Sequence, residues 1–125
     1  MELLRQLGQH IFGALAELHA HGWCHGDVKC HNICWDANKE VCRLVDFGSS
    51  FRLENGKHRQ PIQTPGYMAP EAANWNAQLK SGCSHNASLP DQGTDVFGAA
   101  VLLCELSAGR RLQETAAVEM AQHLN

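Results

Sequence analysis

The chain has 125 residues with 10 Lys plus Arg against 13 Asp plus Glu, a formal charge of −3 that leaves no basic field for gripping phosphate backbones, so nucleic-acid binding is not expected. Hydrophobic residues at 44%, charged residues at 18%, 11 Gly and 4 Pro are the values of an ordinary globular domain rather than a disordered or collagenous chain. No stretch approaches the ~20 uninterrupted apolar residues of a membrane span, and one domain with one core fits the length.

Leu4, Leu7, Ile11, Leu15 and Leu18 recur at steps of three and four, which predicts an amphipathic helix from about residue 2 to residue 20, stopped by Gly22. That start does not look like an export signal. The expectation is a soluble protein of the cytoplasm or nucleus, whose six cysteines are reduced thiols. After a turn-rich stretch, Val41 to Val45 reads as a short strand running into Asp46-Phe47-Gly48. The Gly, Pro and scattered charges between Ser49 and Pro70 predict a long loop, and long loops in compact domains are usually functional. Residues 74–93, rich in Asn, Ser, Gln and Gly, read as a polar surface insertion in which Trp75 is an ordinary exposed aromatic. From Val96 to Cys104 only Gly98 lacks apolar character, so a helix there should be buried on all sides. A more polar helix is predicted over 110–122.

The chemistry concentrates in His25-Gly26-Asp27-Val28-Lys29-Cys30-His31-Asn32, where a carboxylate, an ammonium and an amide fall within six positions. Asp46 follows fourteen residues after Asn32. Phosphoryl transfer from a nucleotide needs a carboxylate to accept the proton of the attacking hydroxyl, a cation near the transferring group, and oxygen ligands for Mg2+. Two neighbouring loops could supply all of these. The thiols and imidazoles of residues 24–34 lack the short paired spacing of thiolate zinc sites and are read as packing groups.

With these residues in view, the sequence resembles the eukaryotic protein kinase family of Ser/Thr type, over about residues 3–109. Leu18 to Asp27 is similar to the end of the E helix and the catalytic loop, and Asp46-Phe47-Gly48 is identical to the family's magnesium-binding triplet. Thr64-Pro65-Gly66-Tyr67-Met68-Ala69-Pro70-Glu71 resembles the end of the activation segment, and Thr94 to Gly98 the start of the F helix. Four such stretches in the right order make a far more specific match than any one alone.

The resemblance implies a mainly α fold with short β strands, matching the front part of the kinase C-terminal lobe. On that reading residues 1–125 are a partial kinase domain, with the catalytic loop at 23–35, the activation segment at 46–71, the insertion at 74–93 and an F-like helix at 95–108. It further implies that the protein transfers the γ-phosphoryl of ATP, with Mg2+, to a protein Ser or Thr hydroxyl. Asp27 is then similar to the catalytic base, Lys29 to the phosphate-binding lysine, and Asn32 and Asp46 to the metal ligands. Thr64 resembles the threonine that helps select Ser or Thr acceptors. Glu71 resembles the glutamate that closes the activation segment. His25, Phe47, Gly48 and Asp95 resemble supporting residues.

Three departures qualify the match. Gly26 stands where the family usually has an arginine that meets an activation-loop phosphate, so control through phosphate on Ser49, Ser50 or Thr64 is not expected, and Cys30 replaces a common proline. No Gly-rich phosphate loop, lysine-bearing strand or glutamate-bearing helix precedes the catalytic loop, so the isolated chain is expected to be weakly active or inactive. The competing expectation is an interaction module without catalysis, in which a partner chain covers the apolar F-like helix.

Overall fold

A computed structural model of the chain describes residues 2–53, 60–82 and 90–109. Helix α1 spans Glu2–Ala20 and buries Leu7, Ile11 and Leu15, three members of the predicted stripe. Gly22, at φ 79, takes the left-handed turn that ends the run. Strand β1 (Trp23–Cys24) follows, then a single 3-10 turn over Cys30–Asn32, then β2 (Ile33–Asp36) and β3 (Val41–Leu44). The two longer strands form an antiparallel hairpin with Ile33 opposite Leu44 and Asp36 opposite Val41. Its turn is closed by Asp36 Oδ1, which accepts the N–H groups of Asn38 and Lys39 at 3.1 Å each. Cys42 N–H donates to His10 Nδ1 at 3.0 Å, which docks the hairpin on α1.

Among its described residues, the segment expected to be loop from Ser49 to Pro70 contains a regular piece, β4 (Phe51–Arg52), paired antiparallel with β1. A second difference is larger. Helix α2 covers Pro70–Ser81, so the stretch from 74 read as a polar insertion continues a helix before the chain reaches Gly82. Pro70 opens it and Gly82, at φ 79, caps it in the left-handed conformation, the usual asymmetry of Pro inside the start and Gly past the end. Only Ala72 and Trp75 of this helix are buried, too few to draw a stripe in the sequence. Trp75 is thus a core residue and not an exposed aromatic. Its Nε1–H donates to Gln60 O at 3.0 Å. Asn76 clamps Ile62 on both sides, accepting its N–H at 2.8 Å and donating to its carbonyl at 2.7 Å.

Helix α3 spans Gly93–Ser107. It is not buried all round: Ala99 and Leu102 are enclosed, whereas Val96 and Phe97 stand 46% and 40% exposed among the described residues. The core divides accordingly. Leu7, Ile11 and Leu15 of α1 pack with Val28, Ile33, Leu44, Ala99 and Leu102 in one cluster. Cys24, Phe51, Ile62, Ala69, Ala72 and Trp75 form the other. The stretch from 25 to 32 runs between helices and hairpin, where the first cluster closes. Among the described residues the cysteines are free thiols, and no helix is long and apolar enough to cross a membrane. The predicted helix over 110–122 lies outside the described residues.

Candidate active site

One buried carboxylate shapes the loop from His25 to Asn32. Asp95, in the first turn of α3, is fully enclosed. Its Oδ2 accepts the His25 N–H at 2.7 Å and its Oδ1 accepts the Gly26 N–H at 3.0 Å. His19 Nε2, from the last turn of α1, lies 2.8 Å from Oδ2. A buried carboxylate without partners is very costly, and two main-chain donors plus an imidazole satisfy this one. The result is a loop whose bend is dictated from residues about seventy positions away.

His25 is buried as well, its Nε2 2.9 Å from Val45 O and its Nδ1 accepting Asp27 N–H at 3.2 Å. If Nδ1 accepts, Nε2 carries the proton and donates to Val45, the one tautomer that satisfies both contacts. The ring meets Phe47 edge-on, with centroids 5.1 Å apart.

Asp27, Lys29, Asn32 and Thr64 form one hydrogen-bonded cluster. Thr64 Oγ1–H donates to Asp27 Oδ1 at 2.7 Å, and Lys29 Nζ donates to Thr64 Oγ1 at 3.0 Å. Lys29 Nζ also lies 3.6 Å from Asp27 Oδ2. Asn32 Nδ2 donates to Asp27 O at 2.8 Å and to Asp27 Oδ2 at 3.2 Å. A hydroxyl thus already bridges the carboxylate and the ammonium, which is the contact an acceptor hydroxyl would need with a general base.

Asp46 is brought near this cluster by main-chain pairing rather than by a side-chain bond to it. Val45 N–H donates to Asn32 O at 2.9 Å, extending the β2–β3 ladder so that Asp46 leaves it beside Asn32. Asp46 is left-handed, at φ 58, and its Oδ1 accepts Gly48 N–H at 3.2 Å. Phe47 is 50% exposed and borders an open groove of about 400 Å³ between α1 and β3, also lined by Ala14, Leu18, Cys42 and Leu44. Glu71 is exposed in the first turn of α2, and among the described residues no hydrogen bond joins it to the cluster. A Cβ placed on Gly93 would stand 4.0 Å from its Oε1.

The donor set suits a hard divalent cation. The Asn32 amide turns its nitrogen to Asp27, which leaves its carbonyl oxygen without a hydrogen bond among the described residues, and the Asp46 carboxylate is solvent-exposed. Oxygen donors of this kind, incompletely used by the protein, are what Mg2+ takes. Among the described residues, no group of three or more His, Cys, Asp or Glu side chains is placed to hold a metal ion by itself.

Three features of the site escaped the sequence reading. Gly26, at φ 86, lies so close to the next loop that a Cβ there would come within 2.3 Å of Ser49 O. The position does more than lack an arginine, because this loop arrangement admits no side chain at all. Gly98, the break in the apolar run, lets α3 press on the loop, since a Cβ would meet Val28 O at 2.8 Å. An isolated Gly inside a helical pattern was the available signal for such close approach. The third is the Tyr67–Glu105 contact, in which Tyr67 Oη–H donates to Glu105 Oε2 at 2.6 Å with Cys30 Sγ–H 3.7 Å from the same oxygen. Burial, then the Glu105 contact, pushes the Tyr67 phenol well above its usual range, and burial raises the Cys30 thiol.

A family model described as "Protein kinase domain" matches residues 1–124, and the chain belongs to the protein kinase family. Among curated proteins it is 34% identical to human serine/threonine-protein kinase Kist over 115 residues, 92% of this chain and 27% of that protein. It is 39% identical to the human phosphorylase b kinase gamma catalytic chain, liver/testis isoform, over 84% of this chain and 24% of that one. Serine/threonine-protein kinase mos of Patiria pectinifera is 33% identical over 78% of this chain and 26% of its own length. The chain therefore spans about a quarter of the length of these relatives.

Proposed function

We propose that the chain carries the catalytic-loop portion of a protein serine/threonine kinase, matching the front part of the C-terminal lobe, which transfers the γ-phosphoryl of ATP to a protein hydroxyl. The observation that carries this reading is the cluster in which Thr64 bridges Asp27 and Lys29 while Asn32 holds the Asp27 carboxylate. Asp27 orients the acceptor hydroxyl and takes its proton, and Lys29 balances the charge that builds on the phosphoryl oxygens. Asn32 and Asp46 would hold Mg2+. The ion, when bound, neutralises the polyphosphate and aligns it for in-line transfer. Thr64, Lys29 and Asp27 define a site for an aliphatic hydroxyl, which favours Ser and Thr over Tyr.

Asp27→Asn keeps the shape of the side chain and removes its basicity. In the full-length protein, kcat for peptide phosphorylation should fall by ~10²–10⁴-fold while the affinity for ATP changes little, as read by steady-state kinetics. Undiminished turnover would overturn the assignment. Gly26 further supports control that does not use an activation-loop phosphate, since a larger residue there collides with Ser49.

A second reading draws on the exposed Val96 and Phe97 of α3: an interaction module whose apolar helix is covered by a partner chain. Val96→Ser with Phe97→Ser tests it beside a phosphoryl-transfer assay of the wild type: no transfer by the wild type, together with loss of self-association or partner binding in the variant, supports the module, whereas transfer by the wild type or unchanged association in the variant discards it.

A further inference from the structure

Gln63 holds a backbone conformation its residue type does not favour, left-handed at φ 60. Outliers of this kind persist where their surroundings over-determine them, and four hydrogen bonds do so here. The Gln63 N–H donates to Gly26 O at 2.6 Å. Its side-chain Nε2 donates to Thr94 O at 2.7 Å and to Tyr67 O at 3.0 Å, and its Oε1 accepts Ala69 N–H at 3.0 Å. One residue therefore ties the catalytic-type loop, the start of α3 and the 67–69 turn together. Only a primary amide long enough to reach them can offer two donors and an acceptor to three main-chain partners. Room for that amide depends on Gly98, where a Cβ would come within 3.1 Å of Gln63 Nε2. The next residue is Thr64, whose hydroxyl bonds Asp27 and Lys29.

We propose that Gln63 is a positioning residue for phosphoryl transfer: it fixes segment 64–69 against the loop that carries Asp27, and so sets how a protein hydroxyl approaches that carboxylate. The proposal rests on the kinase reading above. Gln63 touches neither Asp27 nor Lys29 and acts through Thr64 and Gly26. Small displacements of a reacting group cost rate steeply, which is why a remote clamp can matter.

The test compares Gln63→Ala, Gln63→Gly and wild type as full-length proteins, with Mg·ATP and a degenerate Ser/Thr peptide library as acceptor. Glycine takes the left-handed backbone without strain, so Gln63→Gly should melt higher than Gln63→Ala. Both variants lose the amide, so both should lose peptide kcat/KM alike, by ~10- to 100-fold, with the KM for ATP and the slow hydrolysis of ATP by water near wild type. In 15N spectra the amide signals of Asp27 and Thr64 should shift in both. Activity that instead tracks melting temperature, with Gly recovering what Ala loses, would reduce Gln63 to a structural residue and overturn the proposal, as would unchanged kinetics. The two readings fail differently. Full turnover by Asp27→Asn breaks the kinase assignment, whereas an inactive Asp27→Asn beside unimpaired Gln63 variants breaks only this one. A wild-type protein that transfers no phosphoryl group overturns both.

Discussion

Two loops meet at the site and they are held in opposite ways. The stretch from His25 to Asn32 is largely buried, with His25 and Val28 at 0% and Asn32 at 5% exposure, and its main chain hangs on Asp95, roughly seventy residues distant. The stretch from Asp46 to Ser50 satisfies itself locally: Asp46 caps Gly48, and Ser50 Oγ–H donates to Phe47 O at 2.6 Å. Asp46, Phe47 and Gly48 are all exposed. Long-range bonds to a buried carboxylate fix a geometry that only global unfolding removes, whereas bonds between neighbours leave a loop free to adjust to what binds it. The catalytic-type carboxylate sits on the first kind of loop and the exposed metal-type carboxylate on the second.

The strongest way to break that contrast is Asp95→Ala, which strands two main-chain donors and His19 in the interior. Removing one partner from a buried charged network costs ~3–5 kcal/mol, and urea unfolding should show a loss of that size, with hydrogen exchange at His25 and Gly26 accelerated. A loss under ~1 kcal/mol would mean the loop is held by its apolar packing instead. Gly26→Ala probes the seam between the loops. It combines a left-handed backbone with a Cβ within 2.3 Å of Ser49 O, for an expected cost of ~2–4 kcal/mol. The shift should appear first in residues 46–50, the loop with the weaker anchors.

These contrasts bear on what the sequence could disclose. The α1 stripe and the strand before Asp46 were legible because periodicity reports burial directly, and the run from Val96 to Cys104 was legible as a helix, though not in how much of it is buried. Asp27, Lys29, Asn32 and Asp46 stood out as candidates by residue type and spacing, and the structure joins the first three by hydrogen bonds, Lys29 through Thr64, while Asp46 follows the residue whose N–H bonds Asn32 O. Helix α2 was not legible, because only Ala72 and Trp75 face the core and polar residues fill the rest. Gln63 was invisible for a different reason: its partners are carbonyls and an N–H, and main-chain partners leave no mark in residue identity. The exposed face of α3 overturned the expectation of burial all round, since hydrophobicity states what a helix can bury and not how much of its circumference finds neighbours.

Alkaline pH probes, without mutation, the buried framework on which both loops rest. Burial, assisted by the charges of Asp95 and Asp91, pushes the Cys24 thiol up from its ordinary 9.0 to about 12. Burial does the same for Cys42, also to about 12, with Cys34 adding to it. Both thiols stay protonated in the folded chain over a range where the unfolded chain ionises. Their contribution is therefore fully present below pH 9.0 and is lost as pH climbs towards 12, at up to ~1.4 kcal/mol per pH unit for each thiol. Urea midpoints measured from pH 8 upward should fall past ~9, and Cys24→Ala should flatten the fall. Neither thiol lies in the 46–50 loop, so Asp46 and Phe47 should report the change only through global unfolding.

The smallest expected effect is the most discriminating for the exposed loop. Phe47→Ala removes a ring that is 50% exposed and touches His25 edge-on at 5.1 Å. An aromatic pair of that kind is worth ~0.5–1.5 kcal/mol beyond its buried area, and half the ring gains nothing from burial, so the loss of stability should stay near ~1 kcal/mol. His25 should not move, because its Nε2 remains bonded to Val45 O and its main chain to Asp95. A thermal shift measured alongside the His25 ring signals in an NMR spectrum reads both quantities. If instead His25 reorients, or stability drops as far as it does in Asp95→Ala, then the 46–50 loop supports the 25–32 loop as much as α3 does, and the two are one unit rather than a fixed part and an adjustable one.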